Sequence, residues 1–315
     1  MKFHLNFNPN KADIPIKHHH KLICIGSCFT ENIGNWLADL KYQCLINPNG
    51  IIFNPASICQ SINHALDSNA IQEETFLLRE HQYFSYLHHS KIKAASAEEL
   101  KSTIAQTNTQ MKDRLSDADF LFITLGSAYA YHHKKLGIIV ANCHKQNQAE
   151  FEKKLLTVNE IVQGFKNCIE AIQKLNPKIK CIFTVSPVKH LKDGIIENNR
   201  SKATLLLAVH QLTEALNQCD YFPAYELVND DLRDYRFYKS DLAHPNQQAI
   251  AYIQEKFADC YFDEPTKKLI HEITKLINYL NHKNLHGQAM ADENQDSYIQ
   301  QQKALIKQLY PEIQF

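Results

Sequence analysis

Four short apolar runs along the chain predict buried strands. They cover residues 21–26, 119–126, 178–187 and 220–229. Each run is nearly continuous rather than alternating, which is typical of strands that are covered on both faces. A parallel sheet between two layers of helices contains strands of this kind, because helices lie against both of its sides.

Segments with helical spacing of apolar residues separate the predicted strands. Two of them open with the pattern of a capping box, from Ser96 to Glu99 and from Thr157 to Glu160. The alternation of strand and helix predicts an α/β fold around a central parallel sheet. Residues 75–93 are rich in aromatic and β-branched side chains and predict a hairpin added to this core.

The last part of the chain has a different pattern. The sheet domain is predicted to cover residues 1–262, and residues 263–315 are predicted to form a helical extension packed on it. An apolar stripe with helical spacing runs through Leu269, Ile273 and Leu276 in the first of two amphipathic helices. The polar run 286–297 separates the two helices and is expected to be flexible.

Charge and composition exclude several classes of partner. The 315 residues carry 34 Lys and Arg against 34 Asp and Glu, so the formal net charge is +0. A neutral chain has no electrostatic footprint for nucleic acid or for an anionic membrane. The N-terminal segment lacks the apolar region of a secretion signal, and no stretch of eighteen apolar residues occurs. We therefore expect a soluble, cytoplasmic protein, whose oligomeric state the sequence does not indicate.

Cofactor and metal motifs are missing from the sequence. The nine cysteines are scattered without a CxxC pair and are expected to be reduced thiols. The histidines and cysteines lack the close spacing of a structural zinc site, and no glycine-rich phosphate loop is present. The sequence therefore predicts neither a cofactor nor a bound metal.

Polar residues that follow the predicted strands are the candidates for chemistry, because ligands bind beyond the carboxyl ends of parallel strands. Ser27 follows Gly26 at the end of the first strand, directly before a predicted helix. Its hydroxyl is either a nucleophile beside the helix N-terminus or an ordinary helix cap. Cys28 is an alternative nucleophile, since a helix N-terminus lowers the pKa of a thiol.

A second candidate lies near the end of the sheet domain. Asp241 and His244 are spaced D-x-x-H just before a predicted helix. At this spacing Asp241 can hold Nδ1–H of His244 and leave Nε2 free to take a proton from a serine. The aspartate can also be a simple helix cap. Each motif alone is weak, but the two together predict a Ser–His–Asp triad.

Several longer motifs carry a resemblance to a known family. They are "GSCFTENIG", "NPNGIIFNP", "TLGSAYAY", "VANCHK", "TVSPVKHLKDG" and "YKSDLAHP". Together they resemble the GSCFA family, which is similar to the wider SGNH (GDSL-type) hydrolase superfamily, from about residue 21 to about residue 262. The resemblance implies a flavodoxin-like three-layer α/β/α fold and an esterase, deacetylase or acyltransferase activity.

The resemblance also implies roles for individual residues. Ser27 matches the nucleophile, and Asp241 and His244 match the D-x-x-H pair. Gly50 is the counterpart of a glycine whose backbone N–H binds the oxyanion, together with the N–H of Ser27 or Cys28. Members of the superfamily have an asparagine where this chain has Ala128. Loss of one oxyanion donor costs about two to three powers of ten in turnover.

Polar residues near the vacant asparagine position complete the predicted site. Asn142 and His144 are candidate replacements for the asparagine, although they can equally be hydrogen-bonded loop residues. Candidates for substrate binding share positions after the predicted strands, with basic or aromatic side chains in most cases: Gly126, Ser127, Lys189, His190, Arg200, Lys202 and Tyr238. The basic residues among them can also be solvated helix ends.

These observations predict a serine hydrolase that acts on an acyl ester of a small or carbohydrate-like molecule. Two alternatives stay open. One is an acyltransferase that uses the same site, and the other is a catalytically weak binding protein on the same fold.

Overall fold

The structure, a computed structural model, describes residues 5, 7–67, 71–286, 293–311 and 313. Its strands are β1 (Lys21–Gly26), β2 (Gln43–Ile46), β3 (Phe76–Arg79), β4 (Gln82–Ser85), β5 (Lys93–Ala94), β6 (Phe120–Leu125), β7 (Tyr129–His133), β8 (Ile138–Val140), β9 (Phe151–Leu155), β10 (Lys180–Val185) and β11 (Cys219–Tyr221). Its α-helices are α1 (Cys28–Asp39), α2 (Pro55–Leu66), α3 (Ala97–Asp117), α4 (Val158–Leu175), α5 (Ile195–Ala215), α6 (Ala224–Glu226), α7 (Gln247–Tyr261), α8 (Glu264–His286) and α9 (Glu293–Leu309).

Five parallel strands form the central sheet in the order β11-β10-β6-β1-β2. Counted along the chain within this sheet and read from the other edge, the order is 2-1-3-4-5, which is that of flavodoxin-like folds. The predicted fold class is therefore confirmed. The order brings the carboxyl ends of β1, β6 and β10 side by side.

Helices cover both faces of the sheet, as the continuous apolar strands require. Along β1, Ile23 and Ile25 face a core shared with α2, α3, α4 and α5. Leu22 and Cys24 face the opposite core, which is shared with α1 and α7. Alternate side chains of a strand point to opposite faces, so one strand serves both cores.

The fourth predicted strand is wrong over most of its length. β11 ends at Tyr221, and after Pro223 the chain is helical from Ala224 to Leu232. Proline is favoured at a helix start and cannot donate to a sheet ladder, so it stops the strand here. The apolar residues that suggested a strand, Leu227 and Val228, are buried on the helical segment instead.

Two small antiparallel sheets are attached to the core. The predicted hairpin is present as the sheet β3-β4-β5, and a second sheet has the order β8-β7-β9. The capping box of Thr157 and Glu160 is confirmed in full. At the start of α3 the hydroxyl of Ser96 caps as predicted, but Glu99 accepts from the N–H of Ala95.

The two C-terminal helices share an apolar cluster of their own. Leu269, Ile273 and Leu276 of α8 pack with Ile299 and Ile306 of α9. Residues 287–292, in the middle of the polar run 286–297, lie outside the described residues. Within the described ranges, no helix is both long enough and apolar enough to cross a bilayer. All nine cysteines are free thiols.

Candidate active site

Ser27 lies in the tight turn that joins β1 to α1. It is the N-cap of α1, with Oγ accepting from the N–H of Phe29 at 3.3 Å. Its own N–H donates to the carbonyl O of Thr124 at 3.1 Å, so this amide is occupied. The residue is 3% exposed. The hydroxyl is thus a helix cap, as one interpretation of the sequence predicts, and it lies at the carboxyl edge of the sheet, where the nucleophile interpretation requires it.

Gly26 makes this turn possible. Its backbone has a φ of +145°, which residues other than glycine rarely adopt. A Cβ at this position would overlap the carbonyl O of Thr124 on β6. The N–H of Gly26 donates to Oδ1 of Asn47 at 2.8 Å, which ties the end of β1 to the end of β2.

Asp241 and His244 form the predicted pair. Nδ1 of His244 lies 2.7 Å from Oδ2 of Asp241. Oδ1 of Asp241 accepts from the backbone N–H groups of Ala243 and His244, both at 2.9 Å. These N–H groups and the imidazole lower the pKa of Asp241 to about 2. The ionised carboxylate favours the tautomer with hydrogen on Nδ1, so Nε2 is left as a proton acceptor.

The loop that carries the pair is fixed to the end of β10. The N–H of Lys189 donates to the carbonyl O of Ala243 at 3.0 Å. The side chains of Asp241 and His244 are 47% and 44% exposed. Among the described residues no hydrogen bond joins Ser27 to His244. Catalytic hydrogen bonds are often long without substrate and tighten in the complex, so this separation does not exclude a triad.

His190 lies between the two halves of the site. Its ring lies over Gly126, where a Cβ would approach Nε2 to 3.2 Å, and it contacts the ring of Phe53 with centroids 5.0 Å apart. Burial lowers the pKa of His190 to about 4, with smaller contributions from Lys202 and His244. The ring is therefore neutral at physiological pH. It is close enough to Lys202 and His244 for both residues to affect its pKa.

Lys202 is buried beneath the same edge of the sheet. It is 1% exposed, and Nζ donates to the carbonyl O of Gly126 at 2.6 Å and of Ser186 at 2.7 Å. Burial lowers its pKa to about 7. The sequence suggested a surface residue that binds anions, which is wrong for this position. Its helical spacing from Leu205 and Val209 on the apolar face of α5 was the signal that it is buried.

The position of the missing asparagine is turned away from the crevice. Ala128 is fully buried in the core between the sheet and α4 and α5. Its N–H donates to Oγ of Ser201 at 2.7 Å, and Oγ of Ser127 lies 3.2 Å from the same hydroxyl. Ser127 is therefore a buried structural residue rather than a free substrate ligand.

Three predicted oxyanion residues are already bonded within loops. The N–H of Gly50 donates to the carbonyl O of Asn47 at 2.8 Å. Oδ1 of Asn142 accepts from the N–H of His144 at 2.8 Å. His144 is buried, with Nε2 2.8 Å from the carbonyl O of Ser85. Nδ2 of Asn142, the donor of that side chain, donates to Oγ of Ser90 at 3.2 Å. The groups of Gly50, Asn142 and His144 that were expected to bind the oxyanion therefore already have partners within the protein.

The thiol of Cys28 does not have the lowered pKa that was expected of a nucleophile at a helix N-terminus. The backbone N–H groups of Cys28 and Phe29 lower the pKa of its thiol, as a helix N-terminus should, and Lys202 adds to this effect. Burial and Glu31 outweigh them and raise the pKa above its ordinary value. The thiol is therefore protonated at neutral pH. The N–H of Cys28 remains a candidate oxyanion donor, since amides of the first helical turn have no partner in a preceding turn.

The remaining basic and aromatic candidates already contact other side chains of the protein. Nζ of Lys189 lies 3.8 Å from the ring centroid of Tyr238 and 4.2 Å from that of Tyr235. The exposed guanidinium of Arg200 donates to both carboxylate oxygens of Glu197. Their charges are partly satisfied within the protein, and the simpler interpretation of Arg200 as a solvated helix residue fits its position.

Metal binding finds no support in the described part of the chain, since no three His, Cys, Asp or Glu side chains cluster there as ligands would. His88, one of the two adjacent histidines at 88–89, is buried with Nδ1 3.1 Å from Oγ of Ser85. Burial lowers the pKa of His88 to about 3. It is a neutral core residue.

Comparison with models of protein families agrees with the resemblance seen in the sequence. The model of the GSCFA family matches residues 21–257. No curated protein matches the chain. A carbohydrate esterase family 3 structure from Talaromyces cellulolyticus is 12% identical with a TM-score of 0.27, covering 52% of this chain and 65% of that one. An acetyl esterase mutant with acetate ion is 13% identical with a TM-score of 0.28, covering 52% and 66%. The match thus spans just under two thirds of each of these chains.

Proposed function

The chain belongs to the GSCFA family, and from this premise we propose that it is a serine hydrolase of the SGNH type that cleaves an acyl ester of a small or carbohydrate-like molecule. The observation that carries the proposal is the contact of 2.7 Å between Nδ1 of His244 and Oδ2 of Asp241. It orients the imidazole of His244 and leaves Nε2 without a hydrogen bond to the aspartate. Such an imidazole is the general base that a serine nucleophile needs.

The proposed reaction proceeds through an acyl-enzyme. Oγ of Ser27 attacks the acyl carbonyl carbon while Nε2 of His244 takes its proton. The tetrahedral oxyanion collapses, the C–O bond to the alcohol breaks, and His244 returns the proton to the leaving oxygen. Water then attacks the acyl-enzyme in the same way and releases the acid. Asp241 stays ionised and stabilises the imidazolium in both steps.

Formation of the Ser27–His244 contact accompanies substrate binding in this proposal. Oγ of Ser27 accepts from the N–H of Phe29 at the long distance of 3.3 Å, and its O–H can donate to Nε2 at the same time. The side chain of His244 is 44% exposed, whereas Ser27 is 3% exposed in the β1–α1 turn.

Labelling with a fluorophosphonate probe tests the proposal. We expect the unmutated protein to be labelled on Ser27, and labelling to be lost in both Ser27→Ala and His244→Ala. Cys28→Ser is the matched control, and it should be labelled as the unmutated protein is. Loss of labelling in Cys28→Ser alone would transfer the role to the thiol, which its raised pKa disfavours.

A binding protein with little catalytic activity is the second candidate. It is favoured by Ala128, which is buried in the core where superfamily members present an asparagine to the oxyanion. Such a protein would bind an acylated sugar and return it unchanged, and the probe would leave Ser27 unlabelled. An acyltransferase would be labelled like a hydrolase but would release its product only when an alcohol acceptor is added.

A further inference from the structure

Lys202 is a buried cation that no carboxylate neutralises among the described residues. It is 1% exposed, and both of its hydrogen bonds run to backbone carbonyls, those of Gly126 and Ser186. Taking an ammonium group out of water without a counter-ion is costly. A side chain with this cost is commonly kept for a function, since an apolar residue would fill the same volume on the buried face of α5 without it.

The position of the amine is informative. Gly126 directly follows β6 and Ser186 directly follows β10, and these strands are neighbours in the sheet. Lys202 therefore bridges the carboxyl ends of two parallel strands, which is the edge where ligands bind in this architecture. An ammonium group has three N–H donors. The two carbonyls use two of them, and one remains.

The charge of Lys202 acts on the β1–α1 turn, which contains Ser27. The amine of Lys202 and the thiol of Cys28 are close enough that each changes the pKa of the other. Cys28 is the residue after Ser27, in the first turn of α1. The charge of Lys202 also contributes to the lowered pKa of His190, whose ring lies over Gly126. The hydrogen bonds agree with this position: the N–H of Ser27 is bonded to Thr124 of β6, and Nζ of Lys202 is bonded to Gly126, two residues further along the same strand end.

We propose that Lys202 supplies the positive charge that stabilises the oxyanion, in place of the asparagine side chain that Ala128 cannot provide. This inference rests on the proposed function and deepens it. The N–H of Gly50, Nδ2 of Asn142 and Nε2 of His144, which were expected to bind the oxyanion, already have partners within the protein. A cation beneath the turn, acting with the helix N-terminus of α1, compensates for them.

The protonation state of Lys202 gives the proposal a pH signature. With its pKa at about 7, the amine loses its charge as the pH rises through neutrality. The titratable groups that face it are Cys28 and His190, and His190 in turn faces His244, Lys153 and Asp193. His190 is neutral well below pH 7 and Cys28 is protonated there, so neither changes charge in the same range. We expect kcat to fall on the alkaline side with a pKa close to 7.

The main experiment compares Lys202→Met with Lys202→Arg. Methionine has a similar length and no charge, and arginine keeps the charge at every accessible pH. For an ester that the unmutated protein hydrolyses, we expect Lys202→Met to lower kcat about 100- to 1000-fold and to leave KM within about threefold. The kcat of Lys202→Arg should be at least about tenfold higher than that of Lys202→Met. The alkaline fall in kcat should be absent from Lys202→Arg.

Lys180→Met is the matched control. Lys180 begins β10 at the opposite end of the strand from Ser186 and is only partly buried. Its substitution should leave kcat and the pH profile unchanged. A purely structural clamp between two strands would instead lower the melting temperature of Lys202→Met without a selective fall in kcat. If Lys202→Met folds and its kcat stays within threefold of the unmutated value, the proposal is overturned.

Two further measurements decide the cases in which kinetics alone would not. If Lys202→Met does not fold, the pH profile of Lys202→Arg decides, and an alkaline fall with the same pKa as in the unmutated protein overturns the proposal. The second measurement is alkylation of Cys28 by iodoacetamide as a function of pH, read from the mass of the Cys28 peptide. Lys202→Arg keeps a cation beside the turn at alkaline pH, where Lys202 itself has lost its charge, so this variant should move the titration to lower pH.

The alkylation also separates the proposal from the proposed function. If no ester is hydrolysed and no probe is bound, the hydrolase assignment fails. A lowered Cys28 titration in Lys202→Arg would then still support a side-chain cation at the turn, whereas an unchanged titration would overturn it. If esters are hydrolysed and the Ser27→Ala variant is inactive, an unchanged kcat in Lys202→Met removes Lys202 from the mechanism and leaves the hydrolase intact.

Discussion

At the scale of single residues, Asp241 is fixed before any substrate arrives. Two backbone N–H groups hold one of its oxygens and the imidazole of His244 holds the other. Because its pKa is lowered to about 2, the carboxylate is ionised at every pH at which the enzyme would work. An acidic fall in activity would therefore report protonation of another group.

Replacement of Asp241 by asparagine should inactivate the enzyme without unfolding it. The amide can present N–H to Nδ1 and so favour the tautomer in which Nε2 carries hydrogen, which is the wrong form for a base. In another Ser–His–Asp enzyme this exchange costs about four orders of magnitude in kcat, and we expect a loss of that order in steady-state hydrolysis. Asp234→Asn, an exposed aspartate that pairs with Arg236, is the control. Equal activity of the two variants would remove Asp241 from the triad.

The buried amine of Lys202 should also make stability depend on pH. Its pKa is about 7 in the folded protein and 10.5 in the unfolded chain. Between these values the unfolded chain binds more protons, so the free energy of unfolding should rise as the pH increases from 7 toward 10. The slope approaches about 1.4 kcal/mol per pH unit. Denaturant titrations of Lys202→Met, compared with the unmutated protein over this range, should lack the rise.

At the scale of secondary-structure elements, the β1–α1 turn depends on one glycine. Gly26→Ala adds a Cβ that overlaps the carbonyl O of Thr124 at a φ of +145°. Strain and overpacking together should cost roughly 3 kcal/mol or more of unfolding free energy. Gly137→Ala is the control: its φ of +69° is also positive, but no atom lies within 4 Å of the added Cβ. Its cost should be about 1 to 2 kcal/mol, and equal melting temperatures would contradict this prediction.

The sequence predicted the elements whose residues are buried on both faces and missed those at edges. β1, β6 and β10 are nearly all buried and appear as apolar runs. β2 lies at the edge of the sheet with no fully buried residue, so its four residues gave no such signal. β9 is exposed at every second residue and β7 is only partly buried at three of its five positions, and both lie in a small separate sheet. Their pairing is decided by tertiary contacts rather than by local pattern.

The same division holds for the candidate site. Asp241 and His244 were predictable because three residues of chain fix their distance. The partners of the Ser127 hydroxyl and of Nδ2 of Asn142 are hydroxyl groups distant in sequence, those of Ser201 and Ser90. Spacing along the sequence carries no information on such partners. The burial of Lys202 was available from helical periodicity, but its two carbonyl acceptors were not.

At the scale of the whole molecule, the C-terminal helices form a second centre of packing. The apolar face of α8 is largely shared with α9, and its contact with the body includes Ile270 and the pair of Lys267 with Asp259 at 2.8 Å. We propose that residues 263–315 are an extension that the sheet domain does not need for folding. A chain that ends at Phe262 should remain soluble and bind the fluorophosphonate probe at the rate of the full chain. An unfolded or unlabelled product would contradict the proposed domain boundary.

The exposure of the Asp241–His244 pair has a consequence for the fate of the acyl group. Nearly half of each side chain is open to solvent, at 47% and 44%. Enzymes that protect a reactive intermediate from hydrolysis exclude water from it, and this imidazole is reached by bulk water without the movement of any segment. The acyl-enzyme should therefore partition between water and an alcohol according to their concentrations and nucleophilicities. With methanol added at increasing concentration, we expect free acid to remain the main product until methanol is a major fraction of the solvent.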